Sequence, residues 1–136
     1  MIKSDAQRDR TVAQIDGFRQ ALAKVEQGTP GKRSKAVRGS YESMIRQLED
    51  ELHEYDRLKS GQLALPLVER LDQIAPFIAK IRIAKGVSQT ELARRLGVSK
   101  QVISRYEEGD YQTVAINRLQ EILDAIGIKT LVTLSA

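Results

Sequence analysis

The chain contains no cysteine, and His53 is its only histidine among 136 residues. Without thiols it can form no disulfide, no cysteine-ligated zinc site and no thiol nucleophile, which fits a reducing cytoplasm. His53 follows Glu49 by four residues, a spacing that metal ligands can have. A lone histidine among carboxylates is more typical of a solvated helix face. We therefore expect no metal and no cofactor.

Long apolar runs are also missing. No stretch approaches the roughly 20 residues that a membrane-spanning helix needs, and five of the first ten residues are charged. We expect a soluble, unexported protein that resides in the cytoplasm with the nucleoid.

The fragment GTPGK at 28–32 has too few residues between its glycines for a phosphate-binding loop, and Arg33 follows where Ser or Thr is needed. With no nucleophile, metal cluster or phosphate loop, we do not expect an enzyme.

The positive charge is concentrated in one part of the chain. The formal net charge is only +4, which by itself predicts no polyanionic partner. Between positions 80 and 105, however, Glu91 is the single acidic residue against seven basic ones: Lys80, Arg82, Lys85, Arg94, Arg95, Lys100 and Arg105. A surface that contacts phosphates needs such a concentration.

The same segment carries the signals of two short helices joined by a tight turn. Ser88 and Glu91 form a capping box that predicts a helix start at Ser88. Gly97 can adopt the positive φ that ends this helix, and Ser99 is a suitable N-cap for the next one. The predicted unit is therefore helix, three-residue turn, helix.

The segment SQTELARRLGVSKQVISRYEEG at 88–109 resembles the DNA-binding motif of the Xre/Cro family of prokaryotic regulators. The similarity includes the Ser-Gln opening, the small residue Ala93, the turn glycine Gly97, the apolar residue after it, and Glu107 near the end of the second helix. It covers roughly residues 74–128. The resemblance implies a compact DNA-binding domain in which Arg82 forms a structural salt bridge with Glu107.

In such a motif the second helix, here 99–107, enters the major groove of double-stranded DNA. Arg and Lys can bond guanine, and Gln can bond adenine, through base edges in that groove. The outer face of this helix supplies the predicted base contacts, which are Lys100, Gln101, Ser104 and Arg105. The predicted phosphate contacts are Gln89 and Ser99 at helix N-termini, with Arg94 and Arg95 nearby. For the two arginines, a solvated helix face is an equal alternative.

The first half of the chain predicts an antiparallel αα-hairpin. Ser4 and Gln7 signal the start of a helix to about Gln27, with a narrow apolar seam at Ile15, Phe18, Leu22 and Val25. A second helix should reach Lys59, with its seam at Val37, Tyr41, Met44, Leu48, Leu52 and Tyr55. This half resembles the helical extension of some Xre-type regulators in antitoxin-like contexts. We expect residues 1–61 to form an interaction or dimerisation hairpin.

Residues 62–73 are predicted to be a connector and 74–136 the helix-turn-helix domain of four to five helices. Pro76 suits the first turn of a helix, and a last helix over 115–126 should be capped by Thr113 and ended by Gly127. Residues 128–134 are apolar and β-prone, so we expect a short C-terminal β-strand that pairs with 63–65 or with a second copy. The predicted fold class is mainly α.

The favoured function is a sequence-specific transcriptional regulator, acting as a repressor, that reads a palindromic operator as a homodimer. The alternative is an antitoxin that regulates its own operon and binds a toxin through residues 1–61. A third interpretation is an interaction module that has lost DNA binding.

Overall fold

A computed structural model describes all 136 residues, which form an all-α protein of two compact units, 1–56 and 57–136. The helices are α1 (Asp5–Glu26), α2 (Lys32–Lys59), α3 (Ile78–Ala84), α4 (Gln89–Leu96), α5 (Lys100–Glu108) and α6 (Ile116–Ile126). Two 3₁₀ turns, Leu71–Gln73 and Ala75–Phe77, precede α3. None of these helices has both the length and the apolar content needed to cross a membrane.

The predicted N-terminal hairpin is confirmed. Ser4 caps α1, because its Oγ accepts a hydrogen bond from the Gln7 backbone N–H at 3.2 Å, and the Gln7 side chain accepts from the Lys3 N–H at 3.0 Å. These bonds satisfy donors that a helix start leaves without partners.

The hairpin seam follows an alternating four-three spacing. The seam residues are all buried or half-buried; on α1 they are Thr11, Ile15, Phe18, Leu22 and Val25, and on α2 they are Tyr41, Ile45, Leu48, Leu52 and Tyr55. The predictions of Val37 and Met44 were wrong, since these side chains are 36% and 43% exposed, whereas Ile45 is 8% exposed. Residues 44 and 45, three and four positions after Tyr41, both lie on the same face of α2. The position of the partner helix α1 determines that residue 45 is the buried one.

Polar side chains join the same two helices. Arg8 forms a two-pronged pair with Asp56, with Nε–Oδ1 and Nη2–Oδ2 distances of 2.7 and 3.1 Å. The Tyr55 hydroxyl donates to Asp5 at 2.8 Å, and Arg19 pairs with Glu49. The hydrogen bond from Arg8 lowers the pKa of Asp56. Part of the acidic stretch at 49–56 thus holds the hairpin together.

The second unit packs α3 to α6 around a fully buried core whose centre is Ile78, Leu92, Ile103 and Ile122. Gly97 and Gly127 end α4 and α6 with φ of 68° and 90°, values that L-residues with a side chain rarely adopt. The predicted cap of the last helix was wrong. Helix α6 begins after Ala115 without a side-chain cap, so Thr113 lies in the preceding turn.

The predicted C-terminal β-strand is also wrong, because the chain contains no strand at all. Residues 128–136 have no regular secondary structure, and neither does the segment at 63–65 that was predicted as a pairing partner. High β-propensity describes how a side chain fits a sheet, and it does not create one. A strand needs neighbours whose backbone groups pair with its own. The domain boundaries at 62 and 74 remain predictions.

Candidate nucleic-acid interface

Helices α4 and α5 form the predicted helix-turn-helix. The Ser88 Oγ accepts from the Glu91 backbone N–H at 3.0 Å, which fixes the start of α4. At its end, the left-handed Gly97 directs the Val98 N–H back to the Ala93 carbonyl at 3.0 Å. Ser99 is the N-cap residue of α5 by backbone conformation, although its side chain makes no capping hydrogen bond.

One face of α5 is polar and open to solvent. Lys100, Gln101 and Arg105 are exposed, and Ser104 between them is half-buried. On the opposite side Ile103 and Glu107 are fully buried. The spacing of 3.6 residues per turn brings the four predicted base-contacting residues onto one surface about 1.5 turns long.

A buried network of charged and polar groups anchors the inner side of α5. Arg82 of α3 donates to both carboxylate oxygens of Glu107, from Nε and Nη2, at 2.7 Å each. Its Nη1 donates to the Val87 carbonyl at 2.8 Å. Side-chain exposure is 3% for Arg82 and 0% for Glu107. Charges this deep are stable only when geometry is good and remaining donors and acceptors are satisfied.

Two further residues complete the coordination of the Glu107 carboxylate. Gln89 Nε2 donates to Oε1 at 2.8 Å, and the Tyr111 hydroxyl donates to Oε2 at 2.9 Å. The network therefore joins α3, the first turn of α4, the last turn of α5 and the loop that follows. These bonds hold α5 in a fixed position against α3 and α4.

Tyr111 occupies an unusual position. It is 1% exposed, and both it and Asp110 have positive φ, at 57° and 49°. A left-handed conformation is unfavourable for a bulky residue, and here burial of the ring and the bond to Glu107 offset it. Burial raises the pKa of the Tyr111 hydroxyl far above its ordinary value, and the Glu107 charge raises it further. The hydroxyl therefore stays protonated and remains a donor.

The predicted phosphate contacts lie in different environments. Ser99 and Arg94 are exposed. The Gln89 side chain is only 9% exposed and its amide belongs to the buried network, so only its backbone N–H, at the first position of α4, is left to face an anion. Arg95 donates from Nη1 to the Ala125 carbonyl of α6 at 2.7 Å, a contact that packs α4 against α6.

Glu91 links the two arginines of α4. Its carboxylate accepts from Arg94 at 2.6 and 2.9 Å and from Arg95 at 3.0 Å. These bonds, first from Arg94 and then from Arg95, lower the pKa of Glu91 to about 2. Both guanidinium groups are therefore already engaged, and a phosphate would have to compete with, or share, this carboxylate.

Sequence reasoning missed Gln89 and Tyr111 as members of the buried network. A general signal existed, because a buried Arg–Glu pair requires additional hydrogen-bond partners. Polar residues next to the ends of α4 and α5 were candidates. Which of them turn inward depends on the tertiary packing.

Comparison with known proteins agrees with this geometry. The family profile described as helix-turn-helix matches residues 78–132. A protein of Methanocella arvoryzae, provisionally named an HTH-type transcriptional regulatory protein, is 49% identical over 49 residues. The match covers 35% of this chain, and the chain spans only 15% of that relative's length. No solved structure matches.

The matched residues are those that form the two-helix motif, its buried network and the supporting helices. The resemblance proposed from the sequence is thereby confirmed, and the profile belongs to a family of DNA-binding regulators that are typically non-enzymatic. Residues 78–132 are a helix-turn-helix DNA-binding domain of the Xre/Cro type, preceded in this chain by an N-terminal helical hairpin.

Proposed function

We propose that the protein is a transcriptional repressor that binds a specific double-stranded DNA sequence by inserting α5 into the major groove. The observation that carries this proposal is the contrast between the two faces of α5. Its inner face is held by the Arg82–Glu107 network, and its outer face is polar, cationic and exposed. A helix that presents side chains to base edges must be held rigidly by the domain on one face and be exposed to solvent on the other.

Base recognition is assigned to the outer face. Arg105 and Lys100 have donors for the O6 and N7 atoms of guanine, and the Gln101 amide can both donate to and accept from adenine. Ser104 is half-buried, and its short hydroxyl suits a contact near the centre of the footprint. These four residues would specify the sequence.

Positioning on the DNA backbone is assigned to the helix N-termini. Ser99 lies at the start of α5 with its hydroxyl free of a capping bond, and the first N–H groups of α4 and α5 suit an anionic phosphate oxygen. Arg94 adds charge beside them, and Gln89 would contribute through its backbone N–H. Because Arg95 already supports α6, we assign it a weaker part in phosphate binding.

A single motif reads one short half-site, so we propose that the protein acts as a homodimer on a palindromic operator. In this scheme residues 74–136 bind DNA, 62–73 connect, and the hairpin at 1–61 is the interaction region. The charge distribution is consistent with such a division. Unit 1–56 contains ten basic and ten acidic residues, while unit 57–136 contains twelve and eight, and thus the whole net charge of +4.

The test is selection of binding sites from random DNA, followed by titration of variants on the selected site. The triple variant Lys100→Ala, Gln101→Ala, Arg105→Ala should keep its thermal stability, because all three side chains are exposed. Each lost bidentate contact should remove about 1–3 kcal/mol of discrimination between selected and random DNA. The control is Arg118→Ala, which removes a half-buried cation of α6 that pairs with Glu121 and lies outside the proposed reading face.

Two results would count against the proposal. If the triple variant preferred the selected site as strongly as the wild type, α5 would not be the reading helix. If the wild type selected no site, an interaction module without DNA binding would explain the fold better.

A second candidate function, an antitoxin, is favoured by the exposed surface at the N-terminal end of α2. Lys32, Arg33, Lys35 and Arg38 are exposed and make no ion pair, and Met44 is an exposed apolar residue on the same helix. This surface suits a partner with acidic and apolar groups. The test is co-purification with the product of the adjacent open reading frame, comparing wild type with Lys32→Gln, Arg33→Gln, Lys35→Gln. Equal recovery of the partner, or none, would argue against this candidate.

A further inference from the structure

The N-terminal hairpin is neutral as a whole, but its charges are separated along its length. The part from 24 to 38, where α1 ends and α2 begins, contains five basic residues and one acidic residue, a local net charge of +4. The rest of unit 1–56 contains five basic and nine acidic residues, a net charge of −4. We call the five cations of the first part the basic tip: Lys24, Lys32, Arg33, Lys35 and Arg38.

The basic tip has no counter-charge within the hairpin. All five side chains are exposed and none forms an ion pair, and Glu26, the acidic residue of the same segment, is also without a partner. The first turn of α2 contains no acidic residue. Elsewhere in the hairpin, charges pair across the two helices, as Arg8 does with Asp56 and Arg19 with Glu49. The positive charge of the tip therefore remains available to an anion from outside.

Three of these cations form a row on α2. Lys32, Lys35 and Arg38 recur at intervals of three residues, so each side chain neighbours the next on the helix surface. Like charges at this spacing repel each other and destabilise the helix, and an anion that lies along the row removes the repulsion. The DNA backbone has a matching repeat, because each strand presents one phosphate per about 3.4 Å and three helical residues rise about 4.5 Å.

The turn between α1 and α2 is ordered by hydrogen bonds. The Gly28 N–H donates to the Val25 carbonyl at 3.1 Å, which continues the end of α1. The Ser34 hydroxyl donates to the Thr29 carbonyl, also at 3.1 Å, which ties the first turn of α2 to the loop. The cations of the basic tip are therefore carried by a defined backbone.

The composition of this surface favours nucleic acid over protein as its partner. Specific protein interfaces have a core that is enriched in aromatic residues and depleted of lysine. The large apolar residues that the hairpin exposes are Val37 and Met44, and none of its aromatic side chains, Phe18, Tyr41 and Tyr55, is exposed. Interfaces with DNA are instead polar and strongly positive.

We propose that the basic tip binds the phosphate backbone of the DNA duplex that α5 reads, outside the base pairs that α5 contacts. The inference rests on the proposed function and extends it, because the hairpin becomes a second, sequence-independent contact with the same duplex. Phosphate contacts add affinity and carry no direct sequence information. Since the two contacts belong to one chain, binding of either raises the effective concentration of the other at the DNA.

Two double variants of the full chain with equal loss of charge test the proposal. Arg33→Gln with Arg38→Gln removes two cations of the basic tip. The control, Arg10→Gln with Arg46→Gln, removes two exposed arginines without ion pairs elsewhere in the hairpin. Each lost phosphate contact should lower the slope of log affinity against log salt by about 0.9.

The tip variant should therefore lose up to about two units of slope, while the control retains the wild-type slope. The ratio of wild-type affinity to tip-variant affinity should then fall about tenfold between about 0.05 and 0.2 M NaCl. Circular dichroism should show the same helix content for all three proteins, because the replaced side chains are exposed.

The length of the duplex gives an independent readout. The shortest selected site is titrated with flanks that are extended in steps to about 15 base pairs, slightly longer on B-DNA than the roughly 40 Å length of α2. Wild type and control should gain affinity once the flank reaches the basic tip, and the tip variant should not. The preference for the selected site over a scrambled one should be equal in all three proteins, because α5 is unchanged.

These measurements separate the inference from the proposed function. If the α5 triple variant loses its site preference while the tip variant loses only the gain from the flanks, both hold. If wild type selects no site but the tip variant lowers the salt slope on random duplexes, the repressor proposal fails and a sequence-independent DNA contact at the tip stands.

Two results would overturn the inference. One is that the tip variant and the control have equal salt slopes and equal gains from the flanks. The other is that the tip variant binds DNA as the wild type does but no longer co-purifies with the product of the adjacent open reading frame. That result would assign the basic tip to the antitoxin function.

Discussion

At the scale of single residues, Glu107 is the centre of the buried hydrogen-bond network in the second unit. Its carboxylate accepts four hydrogen bonds from three residues, and the groups are almost completely buried. Replacing such a pair with apolar residues can be neutral, but removing one partner leaves a buried charge without its counterion.

We therefore expect Glu107→Ala to lower the free energy of unfolding by about 3–5 kcal/mol. The neighbouring Glu108 is exposed, so Glu108→Ala should change stability by less than about 0.5 kcal/mol. Urea denaturation of both variants measures the difference. A loss below about 1 kcal/mol for Glu107→Ala would mean that the network contributes little beyond an ordinary hydrogen bond.

Tyr111 makes the same network sensitive to alkaline pH. Because burial raises the folded-state pKa of its hydroxyl above the unfolded value, its stabilising contribution is complete below the unfolded pKa of about 10 and is lost as the pH rises beyond it. Tyr111→Phe removes this proton linkage. Unfolding measured from about pH 8 to pH 11 should show a steeper decline for wild type than for the variant. Parallel curves would contradict this assignment.

At the scale of elements, the helices begin and end where local chemistry requires. Gly97 ends α4 with φ of 68°, and a Cβ added there would meet nothing within 4 Å. Gly39 lies inside α2, where a Cβ would also meet nothing. The two glycines differ in backbone conformation, and space for a side chain does not distinguish them.

The same substitution should therefore have opposite effects at these positions. Gly97→Ala should destabilise its unit by about 1 kcal/mol, the cost of a left-handed residue with a side chain. Gly39→Ala should stabilise the hairpin by about 0.5–1 kcal/mol, because alanine loses less entropy in a helix interior. Hydrogen exchange of amides in each unit resolves the two effects. A stabilising Gly97→Ala would show that α4 does not end in this conformation.

At the scale of the whole molecule, the chain contains two units with different kinds of core. Unit 57–136 is built around fully buried aliphatic side chains. Unit 1–56 has a narrow seam of largely half-buried residues, supported by partly exposed ion pairs such as Arg8 with Asp56. Burial per residue is therefore lower in the hairpin.

We expect calorimetry to resolve two unfolding transitions, with the hairpin unfolding at the lower temperature. Raising NaCl from about 0.05 to 0.5 M should lower the first transition more than the second, since salt screens exposed charge pairs and hardly affects the aliphatic core. Gly39→Ala identifies the hairpin transition by raising its temperature alone. A single transition that moves as one with salt would contradict this independence.

Much of this architecture followed from the sequence, because its signals are local. The caps at Ser4 and Ser88, the turn at Gly97 and the four-three spacing of apolar residues act over one or two helical turns. They predicted the hairpin and the helix-turn-helix, and with the resemblance they predicted the exposed face of α5. The assignment of bases and phosphates to particular residues remains a proposal.

The tertiary structure decided whatever depends on a neighbour distant in the chain. Ile45 rather than Met44 enters the seam because of where α1 lies, and Gln89 and Tyr111 turn inward because Glu107 is buried beside them. Residues 128–134 form no strand because no segment of the chain pairs with them. Periodicity and propensity describe what a segment can do, and only the packed fold supplies the partner that selects one outcome.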